Sequence, residues 1–141
     1  MSPNEYQRLA ERTECNQSEA AFRLSGANLT PGEPDSLIPV RLNHSVIGLT
    51  GEVGELASAV EKWVYYGQPL DPTNVAEEIG DCIWYLALAC NALGVSMQEI
   101  MEANIRKLRV RYPEKYEDVL AEEKNRRRQE EVAAVRNSVG D

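Results

Sequence analysis

Four acidic residues, in two pairs of equal spacing, carry the clearest chemistry in this sequence: Glu52 and Glu55 in GEVGEL, and Glu78 and Asp81 in EEIGD. Residues three apart on a helix project from the same side, so each pair would present two carboxylates to one point in space. Each acid also stands one position ahead of an apolar residue: Val53, Leu56, Ile79 and Cys82. That places the acids at the edge of a helix–helix seam and not on the opposite, solvated face. Facing helices with these edges adjacent would gather four carboxylates in one pocket, where they repel one another unless protonated or bound to a cation. Oxygen-only donors suit hard ions such as Mg²⁺, Mn²⁺ or Ca²⁺, and the absence of nearby His and Cys pairs disfavours zinc. Glu77, four residues before Asp81, is an alternative to Glu78. A single acid pair of this kind is as a rule only a solvated helix face. Two pairs on consecutive helices, both interrupted by glycine, point to a metal site.

The elements that must position these acids are legible from apolar spacing. Leu42, Val46, Leu49, Val53, Leu56, Val60 and Trp63 alternate at steps of four and three, one apolar stripe of a helix from about Arg41 to Tyr66. Gly67, with Pro69 beyond, is its stop signal. Asp71 caps a second helix whose stripe is Val75, Ile79, Cys82, Leu86, Ala89 and Leu93, ending at Gly94. Ser96 caps a third, with Glu99 completing a capping box, and this one fades before Tyr112-Pro113. Ser2-Pro3 opens a short N-terminal helix that residues 17–24 continue, and residues 25–39, with three Pro and two Gly, read as a loop. Short connections between long amphipathic helices predict an all-α, antiparallel helical bundle. The expected organisation is one helical domain over 1–118, with its core at 40–112, followed by a charged helix or tail over 119–141. Gly48, Gly51, Gly54 and Gly80 each cost a helix about 1 kcal/mol relative to Ala. Their expected use is close approach of a neighbouring backbone or a ligand.

Composition narrows the class of function. Fifteen Lys and Arg against 23 Asp and Glu give a formal net charge of −8, which argues against a broad footprint for nucleic acid. A phosphorylated small molecule stays possible, because a divalent cation on acidic side chains inverts the local sign. Three cysteines, Cys15, Cys82 and Cys90, form no disulfide framework and fit reduced thiols. With no signal peptide and no apolar run of membrane-spanning length, the expectation is a soluble, cytoplasmic protein that engages no membrane.

The stretch from Val46 to Pro113 resembles the MazG-like, all-α nucleotide pyrophosphohydrolase superfamily. GLTGEVGEL, EEIGDCIWYLALACNALG and NIRKLRVRYP follow that family's order of ExxE, ExxD and a later Asn/Lys/Arg cluster. The resemblance implies that Glu52, Glu55, Glu78 and Asp81 bind Mg²⁺, with Mn²⁺ possible, and take part in catalysis. The implied reaction is hydrolysis of a nucleoside triphosphate between its α- and β-phosphates, releasing a nucleoside monophosphate and pyrophosphate. It also implies Asn104, Lys107 and Arg111 as phosphate partners and a homodimer or homotetramer as the assembly. Lys62, near the first acid pair, could contact phosphate, and Trp63, Trp84 and Tyr85 could stack on a base, although an indole on an amphipathic helix is more often core. His44, the only histidine, reads as a surface or seam residue. Two competing readings are a phosphoribosyl-ATP pyrophosphatase, from a related helical family, and a non-catalytic interaction or metal-buffering module.

Overall fold

The capping signals are realised where the spacing places them. In the computed structural model, which describes residues 1–20, 38–117, 120 and 127–139, five helices are assigned: α1 (Pro3–Ala10), α2 (Ile38–Tyr66), α3 (Pro72–Leu93), α4 (Met97–Arg111) and α5 (Arg128–Val139). Asp71 Oδ1 accepts from the backbone N–H groups of Thr73 and Asn74 at 2.9 and 3.3 Å, and Pro72 fills the first helical position of α3. Ser96 Oγ accepts from Glu99 N–H at 3.2 Å to start α4. At the other end of α2, Gly67 takes φ +65° and the Gln68 N–H closes back onto the Lys62 carbonyl at 3.1 Å. That closure needs a left-handed residue, which glycine supplies without strain. Gly94 ends α3 with φ +65°, its own N–H reaching the Asn91 carbonyl at 3.2 Å.

Several boundaries differ from the sequence expectation. Helix α2 begins at Ile38, three residues earlier than the stripe suggests, so Ile38 and Pro39 are helical. Proline is well suited to a first turn, where its missing N–H has no partner to lose. The remainder of the expected loop, 25–37, lies outside the described residues. The N-terminal helix stops at Ala10, passes into a single 3₁₀ turn, and helix resumes only at 17–20, where Asn16 Oδ1 accepts from the N–H groups of Ser18 and Glu19. Residues 21–24 are not described. The charged C-terminal stretch is helical over Arg128–Val139. No strand occurs among the described residues, and the fold is all-α.

Contacts divide the chain into two compact units, Met1 with Glu5–Gly94 and Ser2–Asn4 with Val95–Asp141. In the first unit α2 and α3 form a helical pair that carries all four motif acids. The connection over 67–71 is short and turns the chain back, so the two helices run antiparallel. Arg41 ties the N-terminal segment to α2 by donating to both oxygens of Glu14, at 3.1 and 2.6 Å. In the second unit α4 and α5 associate, joined by a two-pronged ion pair from Arg111 to Glu131 at 3.0 and 2.6 Å.

The seam of the α2–α3 pair is offset from the apolar stripes. Glu78, Ala87, Leu88 and Ala92 are the buried residues of α3, and Val40 and Ser45 those of α2. The stripe residues Val46, Val53, Val60, Trp63, Ile79, Leu86 and Leu93 are instead between 42 and 59% exposed. A pair of helices can bury only one line of side chains on each member. Of the acids only Glu78 is buried, while Glu55 and Asp81 are exposed, so the acids border the seam and part of the wider apolar stripe is left outside it.

Candidate functional site

Two facing lines of side chains build the site. On α2 they are His44, Gly48, Glu52, Glu55, Ala59 and Lys62, at steps of four and three along one face. On α3 the line Asn74, Glu78, Asp81, Tyr85 and Leu88 has the same rhythm and runs the opposite way. The two lines therefore pair end to end: Gly48 with Tyr85, the acids with one another, and Lys62 with Asn74.

At the centre, one carboxylate oxygen from each of Glu52, Glu55 and Glu78 lies within 4.8 Å of the other two. Glu78 is buried, Glu52 half-buried and Glu55 exposed. Partial burial, and then the charges of Asp81, Glu55 and Glu78, push the Glu52 carboxyl above its ordinary value. Asp81 stands outside the triplet and is exposed. Its charge still reaches the site, since it also raises the Tyr6 and Tyr85 hydroxyls after burial has done so. The cluster supplies only hard oxygen donors, close enough to share one cation and repulsive without one. It fits Mg²⁺ or Mn²⁺ on donor chemistry. Asn74 Nδ2 donates to Glu78 Oε1 at 2.7 Å, holding the buried carboxylate in place.

One end of the groove is aromatic. His44, Trp84 and Tyr85 meet edge to face, with ring centroids 4.8 to 6.3 Å apart. Trp84 Nε1 donates to Thr13 Oγ1 at 2.8 Å, fixing the indole. Gln17 Nε2 lies 3.3 Å from Cys15 Sγ and 3.4 Å from His44 Nδ1 behind the rings. The Tyr85 ring rests directly on the Gly48 backbone, in the space a Cβ would need. Of the four glycines expected at close approaches, Gly48 alone has a neighbour there; Gly51, Gly54 and Gly80 have no atom of the described residues within 4 Å of where a Cβ would stand. Their openness corrects the expectation within the chain, and nothing in the structure otherwise explains them.

The other end is polar and concave. A cavity of about 290 Å³ is lined by Glu55, Ser58, Lys62, Gln68, Asn74 and Glu78 among others. Of the sequence-derived residues, the structure thus brings Lys62 and Tyr85 to opposite flanks of the acids. Trp63 is half exposed and takes part in neither flank. Asn104, Lys107 and Arg111 lie on α4, in the second unit, with Asn104 exposed and Lys107 half-buried. The Arg111 guanidinium is held by Glu131, whose bond raises its already high pKa further. His44 and Asn74 were not singled out as site residues from the sequence. Their signal was present, His44 eight residues before Glu52 and Asn74 four before Glu78, on the same faces as the acids.

Comparison with known proteins agrees with this arrangement. Residues 43–116, just over half of the chain, match the MazG nucleotide pyrophosphohydrolase domain. The Gene 37 protein of Mycobacterium phage L5 is 30% identical over 91 residues, covering 62% of this chain and 80% of its own length. No solved structure gives a significant match. No single helix among the described residues is long and apolar enough to cross a membrane. With the family's match spanning both acid motifs, and those motifs converging on one carboxylate cluster between two helices, the chain belongs to the MazG nucleotide pyrophosphohydrolase family.

Proposed function

We propose that this protein hydrolyses a nucleoside triphosphate between its α- and β-phosphates, giving a nucleoside monophosphate and pyrophosphate. The observation that carries this reading is the convergence of Glu52, Glu55 and Glu78 within 4.8 Å in a chain of this family. These three, with Asp81 beside them, would hold Mg²⁺ or Mn²⁺. When bound there, a divalent cation neutralises phosphate charge and makes phosphorus more open to attack. The protein's own groups do the rest. Asn74 keeps the Glu78 carboxylate turned into the site. Glu55, the most exposed of the triplet, would hold the cation through one carboxylate oxygen and accept a proton from an attacking water at the other. The water's oxygen ends on one phosphate, the bridging oxygen leaves with the other, and a proton passes to solvent. By the family's motif order, Lys107 on α4 would be a phosphate partner with Asn104 as its hydrogen-bonding companion, whereas the Arg111 guanidinium is held by Glu131.

A homo-oligomer, at least a dimer, belongs to the same reading. The half-exposed apolar residues Val46, Val53, Val60, Ile79, Leu86 and Leu93 give the α2–α3 pair a face of the kind normally covered by a partner, and a second copy is the simplest one.

Product analysis with Mg²⁺ and a panel of nucleoside triphosphates tests the reaction. Pyrophosphate and monophosphate should appear together, and Glu55→Gln should lower turnover by about 10²-fold or more, the lower range for losing a general base. Lys107→Ala should lower the turnover number as well as raise KM, because phosphate charge grows in the transition state. Orthophosphate as the first product, or full activity in both variants, would overturn the reading.

A further inference from the structure

The groove between α2 and α3 has a direction. Its ends differ in chemistry: three rings packed edge to face beside Glu52 and Asp81 at one, and a polar cavity beside Glu55 and Glu78 at the other. Lys62 is the cation of that cavity. It stands two turns beyond Glu55, roughly 10 Å along the axis, and helical side chains lean toward the N-terminus, so its stem points back toward the acids. The helix pair offers few other cations: α3 contains no Lys or Arg, and Arg41 of α2 is bound to Glu14 and Glu11. Lys62 makes no ion pair among the described residues. Ser58, Gln68 and Asn74 add hydrogen-bond donors around it. The cavity also holds the Asp71 carboxylate, which is engaged in capping α3; its ammonium and neutral donors, opening onto carboxylates that need a cation, suit an anion that a cation on those carboxylates would help to hold. The aromatic end, where Arg41 is already bound to Glu14 and Glu11, suits an uncharged ring.

We propose that the Lys62 cavity seats the leaving pyrophosphate, so that a nucleotide lies along the groove with its β- and γ-phosphates toward Lys62 and its nucleoside toward His44, Trp84 and Tyr85. This rests on the reaction proposed above and assigns the substrate's polarity on the two helices. The Lys62 ammonium donates to the terminal phosphates and holds the pyrophosphate after the bond has broken. Asn74, donating to Glu78 at 2.7 Å, lines the cavity beside that carboxylate.

The two product halves can be tested separately, without turnover, by calorimetric titration with inorganic pyrophosphate or with nucleoside monophosphates in the presence of Mg²⁺. Lys62 is exposed, so its replacement should leave the melting temperature unchanged. Lys62→Ala should weaken pyrophosphate binding by about tenfold or more, the loss expected for one charge-assisted hydrogen bond, and leave the monophosphates within about twofold. Lys62→Arg should restore most of the pyrophosphate affinity, and His44→Ala should weaken the monophosphates alone. Unchanged pyrophosphate binding in Lys62→Ala, or an equal loss for both ligands, overturns the assignment. So does the opposite pattern, with Lys62→Ala acting on monophosphates and His44→Ala on pyrophosphate. A first product of orthophosphate in the turnover assay would instead remove the reaction itself, so the two failures are distinguishable.

Discussion

At the scale of single residues, Glu52 is the most informative titrating group. Its carboxyl is raised above 4.5 by partial burial and by the charges of Asp81, Glu55 and Glu78. A raised acid holds its proton more tightly folded than unfolded, so its contribution to stability is complete below the unfolded value and is lost as pH rises through the folded one. The metal-free protein should therefore lose melting temperature as pH climbs from 4.5 towards neutrality, and Glu52→Gln should flatten that slope. Millimolar Mg²⁺ should restore the lost degrees by linkage in the wild type and not in Glu52→Gln or Asp81→Asn. Thermal scans across pH, with and without metal, check both, and an identical metal response in all three proteins would remove these residues from the site. The glycines make a second test. Gly48→Ala must displace the Tyr85 ring, which His44 and Trp84 hold in place, and should lower activity. Gly51→Ala, Gly54→Ala and Gly80→Ala have open space and should stabilise the helices by roughly 0.5–1 kcal/mol, read as a rise of a few degrees in Tm.

Among the elements, α2 and α3 carry the acids, and the Arg111–Glu131 ion pair joins α5 to α4. Arg111 was expected to face phosphate, yet its guanidinium spans both oxygens of the buried Glu131. The pair is two-pronged and its carboxylate is buried, so removing the cation is destabilising. Arg111→Ala should accordingly lower denaturation midpoints and loosen α5, with amide exchange in Arg128–Val139 rising first. Loss of activity without loss of protection in α5 would return Arg111 to the phosphate role.

For the molecule as a whole, the exposed apolar face is the governing feature. Seven stripe residues left 42 to 59% exposed on two adjacent helices form a surface that water disfavours. Light scattering at micromolar concentration should return a mass of at least twice 15.8 kDa. Val53→Glu combined with Ile79→Glu should shift it toward the monomer and lower Tm. A monodisperse 15.8 kDa species in the wild type would show that the face needs no second copy.

Helix identity, the caps at Asp71 and Ser96, the stops at Gly67 and Gly94, and the acid pairs were all legible in the sequence, because each is a local matter of spacing and backbone preference. The family resemblance was legible for the same reason: its motifs are short and lie within single helices. What spacing does not settle is which side of a helix meets its neighbour. The apolar stripes of α2 and α3 predicted the seam, yet seven of their residues are 42 to 59% exposed while Glu78, on the acid line, is buried. Hydrophobic periodicity reports every face that must leave water, whether it is covered by the chain's own helices or by another molecule. Only the tertiary pairing distinguishes them. The same pairing set Tyr85 on Gly48, turned His44 toward two rings 40 residues away, and placed Lys62 at the mouth of a cavity shared with Glu55 and Glu78. Those relations join residues far apart in the chain, and no local pattern carries them.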